Sequence, residues 1–140
     1  MASDEQVRGI LEKHRVIAVY GMSKDPQKVA HTVPLHLKEE GYEIIPINPT
    51  VPEIAGLKCY ASLADVPGRI EILDVFRPSE QAPAVVREAV ARRAQRGDID
   101  AIWLQEGIKS EEARRLAEEA GITYLEDICI SKEFRRLFPR

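Results

Sequence analysis

The chain has 140 residues, 44% hydrophobic and 31% charged, a length and apolar fraction that fit one compact domain over 1–140 and exclude a disordered chain. Its net charge of −3 provides no global positive field for nucleic acid, so an anionic ligand must be held by local groups. No apolar run approaches the roughly 18 residues of a membrane span, and Ser3, Asp4 and Glu5 replace the basic start of a secretory leader, so a soluble, cytoplasmic protein without a membrane partner is expected.

From the N-terminus, Asp4 to His14 carries Val7, Ile10 and Leu11 on one side and predicts a helix packed across a sheet. Five short apolar runs follow: Val16 to Tyr20, Tyr42 to Ile47, Ile70 to Phe76, Ala101 to Leu104, and Ile122 to Leu125. They lack period-two alternation and are rich in Val and Ile, as strands covered on both faces are. Between the later runs, Val85, Val86, Ala89 and Val90, then Ala113, Leu116, Ala117 and Ala120, recur at helical spacing. Pro34 belongs in a first helical turn, so the second helix starts near Thr32 or starts earlier and contains the proline. Strands alternating with helices give a doubly wound five-stranded parallel sheet, Rossmann-like, in three layers. The simplest strand order is 3-2-1-4-5, with ligands beyond the carboxyl ends near the switch point between strands one and four.

The strand ends therefore carry the most weight. Strand one runs into Gly21, Met22, Ser23 and Lys24, followed by Lys28 and His31. A glycine there permits a sharp turn whose N–H groups face an anion, Ser23 adds a hydroxyl, and the two lysines offer charge. G-x-G-x-x-G is absent, and strand two ends in Asn48 before Pro49 where a dinucleotide protein has an acidic residue. Both features point away from NAD. Strand three closes with Phe76 and Arg77, an aromatic face for a base and a guanidinium for a phosphate, or else a core ring and a surface arginine. Strand four yields Leu104, Gln105 and Glu106, polar partners for a ribose or an amide, while Trp103 belongs in the core. Cys59 and Cys129 lie seventy positions apart without a CxxC pair, so no metal or disulfide framework is expected. Cys129, after strand five, is a buried thiol or, alternatively, a redox group. No Ser, His and Asp set at interpretable spacing suggests a hydrolase, and no catalytic residue is assigned.

Taken together, Val19-Tyr20-Gly21-Met22-Ser23, Pro46-Ile47-Asn48-Pro49, Phe76-Arg77-Pro78, Trp103-Leu104-Gln105-Glu106-Gly107-Ile108 and Cys129 resemble the small stand-alone CoA-binding proteins. That family is similar to the CoA-binding domain of the succinyl-CoA synthetase alpha subunit. The resemblance covers nearly the whole chain and implies coenzyme A across the strand ends. It matches Gly21 to Lys24 with the phosphate loop, Asn48 with the end of strand two, Phe76 and Arg77 with the adenine side, and Leu104 to Glu106 with a third contact segment. The expected function is non-catalytic binding of CoA or an acyl-CoA. Two alternatives stay open: a subunit of an acyl-CoA ligase or transferase with catalysis on a separate chain, and an NAD(P)-binding oxidoreductase. A homodimer is the commonest form for a soluble oligomer and also stays open.

Overall fold

The computed structural model describes residues 2–140. Its elements in chain order are α1 (Asp4–Lys13), β1 (Val16–Tyr20), α2 (Val29–Glu39), β2 (Glu43–Ile47), β3 (Glu53–Ile54), β4 (Leu57–Lys58), β5 (Ile72–Val75), α3 (Ala82–Arg96), β6 (Ala101–Leu104), α4 (Glu111–Glu119), β7 (Thr123–Leu125) and α5 (Ile130–Leu137). Two of the helices start where the sequence supplies a side-chain acceptor. Ser3 Oγ accepts from Gln6 N at 3.1 Å to open α1, and Ser110 Oγ accepts from Ala113 N at 3.1 Å to open α4. Asp4 and Glu5, then Glu111 and Glu112, place negative charge in those first turns.

Five strands pair in parallel in the order β2-β1-β5-β6-β7, with α1, α2 and α5 over one face and α3 and α4 over the other. This is the expected three-layer, doubly wound sheet. One placement differs from expectation: counted over the five expected strands, the order is 2-1-3-4-5, so the third strand lies beside the first instead of outside the second. Burial and proline give the reason. All four residues of β5 are buried, which demands covered neighbours on both sides. β2 contains Pro46, which cannot donate to a ladder and is tolerated at an edge. Beyond that edge the chain seals itself, with Tyr60 N donating to Pro46 O at 3.0 Å and Asn48 N to Tyr60 O at 2.9 Å. The switch point therefore falls between β1 and β5, and it brings Gly21 against Phe76 and Arg77.

Three elements have no counterpart in the sequence-derived assignment. The two-residue strands β3 and β4 pair antiparallel in the long connection from β2 to β5. The terminal helix α5 buries Ile130, Ser131 and Leu137 and sets Phe134 against Tyr42, with ring centroids 5.9 Å apart. No helix is long and apolar enough to cross a membrane among the described residues.

Candidate functional site

The loop after β1 is built by its own polar groups. Gly21 has φ 88°, and its N–H donates to Ile47 O at 3.0 Å. A β-carbon there would stand 2.6 Å from Phe76 O and 2.8 Å from Arg77 Cδ, so the chain has no room for a side chain at this crossing. Ser23 N donates to Ala30 O at 3.1 Å, and His31 Nδ1 lies 2.7 Å from Ser23 O. Because a carbonyl only accepts, Nδ1 carries the hydrogen of this bond. Ser23 Oγ accepts from Asp25 N at 3.0 Å, which leaves its own O–H free to donate. Asp25 Oδ1 accepts from Gln27 N at 3.0 Å, so the one carboxylate in the loop is spent on the turn.

α2 begins at Val29, the earlier of the two expected starts, and contains Pro34. A proline has no N–H for the carbonyl four residues back, which is Ala30 O. That freed acceptor is the one that holds Ser23 N, so the proline inside the helix and the closed loop before it are one device. Lys28 precedes α2 without a side-chain cap, and the first turn holds no acidic residue. His31 N and Thr32 N bond back to Lys28 O at 3.0 Å and 3.1 Å, which leaves the N–H groups of Val29 and Ala30 without an acceptor and the positive end of the helix behind them. Lys24, Lys28 and Arg77 are exposed around this point.

Asn48 fastens the loop to β2: its Nδ2 donates to Met22 O at 2.9 Å, and its Oδ1 accepts from Thr50 N at 2.8 Å. Met22 is wholly buried and contributes backbone only. Phe76 is partly buried and Gln105 is buried, its Oε1 accepting from Ile130 N at 3.2 Å at the uncapped start of α5. Glu106 is exposed and paired with Lys132 at 2.8 Å. Leu104 packs wholly inside the α3/α4 core. The structure thus places Phe76, Gln105 and Glu106 on one cavity and sets Gly21 against Phe76 and Arg77, with Ser23, Lys24, Lys28 and His31 following in the loop and helix start, Asn48 tied to Met22 O and Leu104 in the core.

Between α2, α5 and the strand ends lies a cavity of about 460 Å³, with walls that include Val29, Val33, Phe76, Gln105, Cys129 and Ser131. The N-termini of α2 and α5 both open on it. Val29, on its lip, is 68% exposed and is the one large exposed hydrophobic residue among the described residues. Larger concavities of about 880 Å³ and 600 Å³ lie along α4 and β7 and at the opposite end of the sheet. They are walled largely by charged side chains, whereas the smaller one combines apolar walls with converging polar groups at the switch point, as ligand sites do.

A parallel sheet with a self-closed loop, a helix start without a side-chain cap and a partly apolar cavity at its switch point defines a doubly wound, Rossmann-like α/β domain. The sequence family described as "CoA binding domain" is matched over residues 15–135, and the chain belongs to it. It is 39% identical over 128 residues to the uncharacterized protein YneT of Bacillus subtilis (strain 168), covering 91% of each chain. It is 33% identical over 104 residues to acetate–CoA ligase [ADP-forming] II of Archaeoglobus fulgidus, a match spanning 73% of this chain but only 15% of that one. Among solved structures, cell-free ID.343 from Thermus thermophilus superposes with a TM-score of 0.89 at 38% identity, covering 98% of this chain and 100% of that one.

Proposed function

We propose that the protein binds coenzyme A, with its phosphates at the loop Gly21 to Lys24 and the start of α2, and its narrow arm in the cavity. The observation that carries this reading is the uncapped, acid-free start of α2 beside a closed loop ringed by Lys24, Lys28 and Arg77. Unsatisfied N–H groups and cations at one helix start suit a pyrophosphate, and a third cation suits a further phosphate. Ser23 Oγ–H adds a donor, and Phe76 offers a ring face. Asn48 holds the loop through one N–H and its Oδ1, and its second N–H is left for a ligand at the place where a dinucleotide protein has an acidic residue. That arrangement favours CoA over a dinucleotide.

Isothermal titration with CoA, dephospho-CoA, ADP and NAD at one salt concentration tests the reading. CoA should bind tightest, removal of its 3′-phosphate should weaken binding about tenfold, and Arg77→Ala should erase that difference, one charge-assisted contact being worth roughly 1.5–3 kcal/mol. No heat with CoA, or tighter binding of NAD, would overturn it. A second reading, a binding subunit whose catalytic partner lies on another chain, is favoured by the ligase relative, of which this chain spans only 15%.

A further inference from the structure

Asp74 lies in the middle of the sheet, in register with Val19 on one side and Trp103 on the other, and is 1% exposed. Its Oδ1 is the one buried side-chain oxygen or nitrogen among the described residues without a hydrogen-bond partner. A buried polar atom left unpaired destabilises the fold, and most native examples have their partner in a water, an ion or a ligand. An apolar side chain of the same size would serve a core strand better. Burial pushes the Asp74 carboxyl well above the usual carboxylate range, which favours its protonated form, an O–H donor beside a carbonyl acceptor.

Its position says what the partner is. Alternate residues of a strand share a face, so Asp74 lies on the face of Phe76, and Trp103 on that of Gln105. Phe76 and Gln105 line the 460 Å³ cavity, with Val33, Cys129 and Ser131 facing them from the helices. Asp74 is therefore one pleat below the cavity's floor, outside its lining, and an arm in the cavity meets its carboxyl only where the Phe76 ring turns aside. At about 30 Å³ per water-sized group, that volume takes roughly fifteen non-hydrogen atoms, enough for a slender arm and too little for a nucleotide in addition. A neutral carboxyl pairs at both its atoms with a secondary amide, which also offers one donor and one acceptor; a hydroxyl, thiol or carbonyl alone satisfies it less completely.

Resting on the reading of the site as a CoA site, we propose that Asp74 is the positioning residue for the inner amide of the pantetheine arm. The phosphate loop would then set the affinity for the nucleotide end, and Asp74 the advantage of CoA over ADP.

The test pairs binding with stability. CoA and ADP are titrated into the full chain and into Asp74→Asn and Asp74→Val, and thermal unfolding is followed without ligand. Asn keeps a donor and an acceptor; Val is β-branched, suits a strand and has neither. The expected result is that Asp74→Val unfolds at a higher temperature than the parent, binds ADP as the parent does and binds CoA about tenfold more weakly, while Asp74→Asn keeps CoA affinity within about threefold. Asp74→Ala repeats the binding arm should Val not fold. A parent that favours CoA over ADP, with the preference intact in the Val or Ala variant, would overturn the role of Asp74 alone. A parent that binds CoA no better than ADP would remove the arm from the cavity, and with it both readings.

Discussion

The N–H of Ser23 lies 3.1 Å from the carbonyl oxygen of Ala30, the acceptor that Pro34 leaves vacant in α2. The loop that faces the proposed phosphates is thus closed by a bond that an ordinary helix would have used internally. Pro34→Ala would restore an N–H aimed at the same oxygen. Because proline costs a helix interior about 3 kcal/mol relative to alanine, the variant should unfold at the same temperature as the parent or higher. Its affinity for CoA should nevertheless fall several-fold, since Ser23 would share its acceptor. Titration together with thermal unfolding separates these two effects, and a variant that is less stable but binds normally would refute the coupling.

Gly21 tells the same story from the other side of the crossing. With φ 88° and only 2.6 Å between an added β-carbon and Phe76 O, alanine meets both backbone strain and a main-chain clash. Neither is relieved by turning a side chain. Gly21→Ala should cost about 2–3 kcal/mol of stability, read from denaturant midpoints at unchanged slope. A cost below about 0.5 kcal/mol would show that β1 and β5 can separate at their ends.

Much of this is legible in the sequence because strand ends are punctuated: Gly21 after Tyr20, Asn48 before Pro49 and Arg77 before Pro78 each mark where a buried run meets the site. The place of β5 is harder to read, although Pro46 is a sign that the second strand is an edge. The bond from Ser23 to Ala30 and the burial that raises the Asp74 pKa depend on the folded packing, and no local pattern reports them. α5 escapes a reading by periodicity because its apolar positions, Ile130, Phe134 and Leu137, are few and crowded by Lys132, Arg135 and Arg136. Yet that helix supplies the cavity wall opposite Phe76.

Arg92, on α3, is buried against the connection that leads into β5, its guanidinium spread over Asp98 Oδ2 at 3.0 Å and the carbonyl oxygens of Val66 at 2.9 Å and Gly68 at 2.7 Å. Asp98 Oδ2 in turn accepts from Ile70 N at 3.0 Å, the residue that leads into β5. Both side chains are 3% exposed, so removing one strands the other's charge. Arg92→Met should cost about 3–5 kcal/mol. Arg92→Met with Asp98→Asn should recover part of that loss, because the unpaired charge is gone while an acceptor for Ile70 N remains. Chemical denaturation of the two variants checks this, and equal stability of single and double variants would mean that the carbonyl contacts, not the charge pair, hold the segment.

Two carboxyls in this sheet should give stability opposite pH slopes. Burial opposes ionisation at Glu71, but the N–H groups of Arg15 and Val16, at 2.8 Å and 3.0 Å from its Oε1, and His14 beside it outweigh that and hold the group below the usual glutamate range. A lowered native pKa adds stability that is fully present above the unfolded value and is lost as pH falls through the native one. Stability of the parent should therefore drop below about pH 4.5, and Glu71→Gln should be less stable at neutral pH but lose less on acidification. Asp74 has the other sign: burial raises its native pKa, so it costs nothing while both states are protonated. As pH rises past about 4 the unfolded chain ionises, the native carboxyl does not, and stability is lost until the native pKa is reached. The gain in unfolding temperature from Asp74→Asn should thus be small near pH 4 and grow toward pH 7. If that gain is the same at both values, Asp74 is ionised in the native state, and its Oδ1 must have found a donor that neither β1 nor β6 supplies.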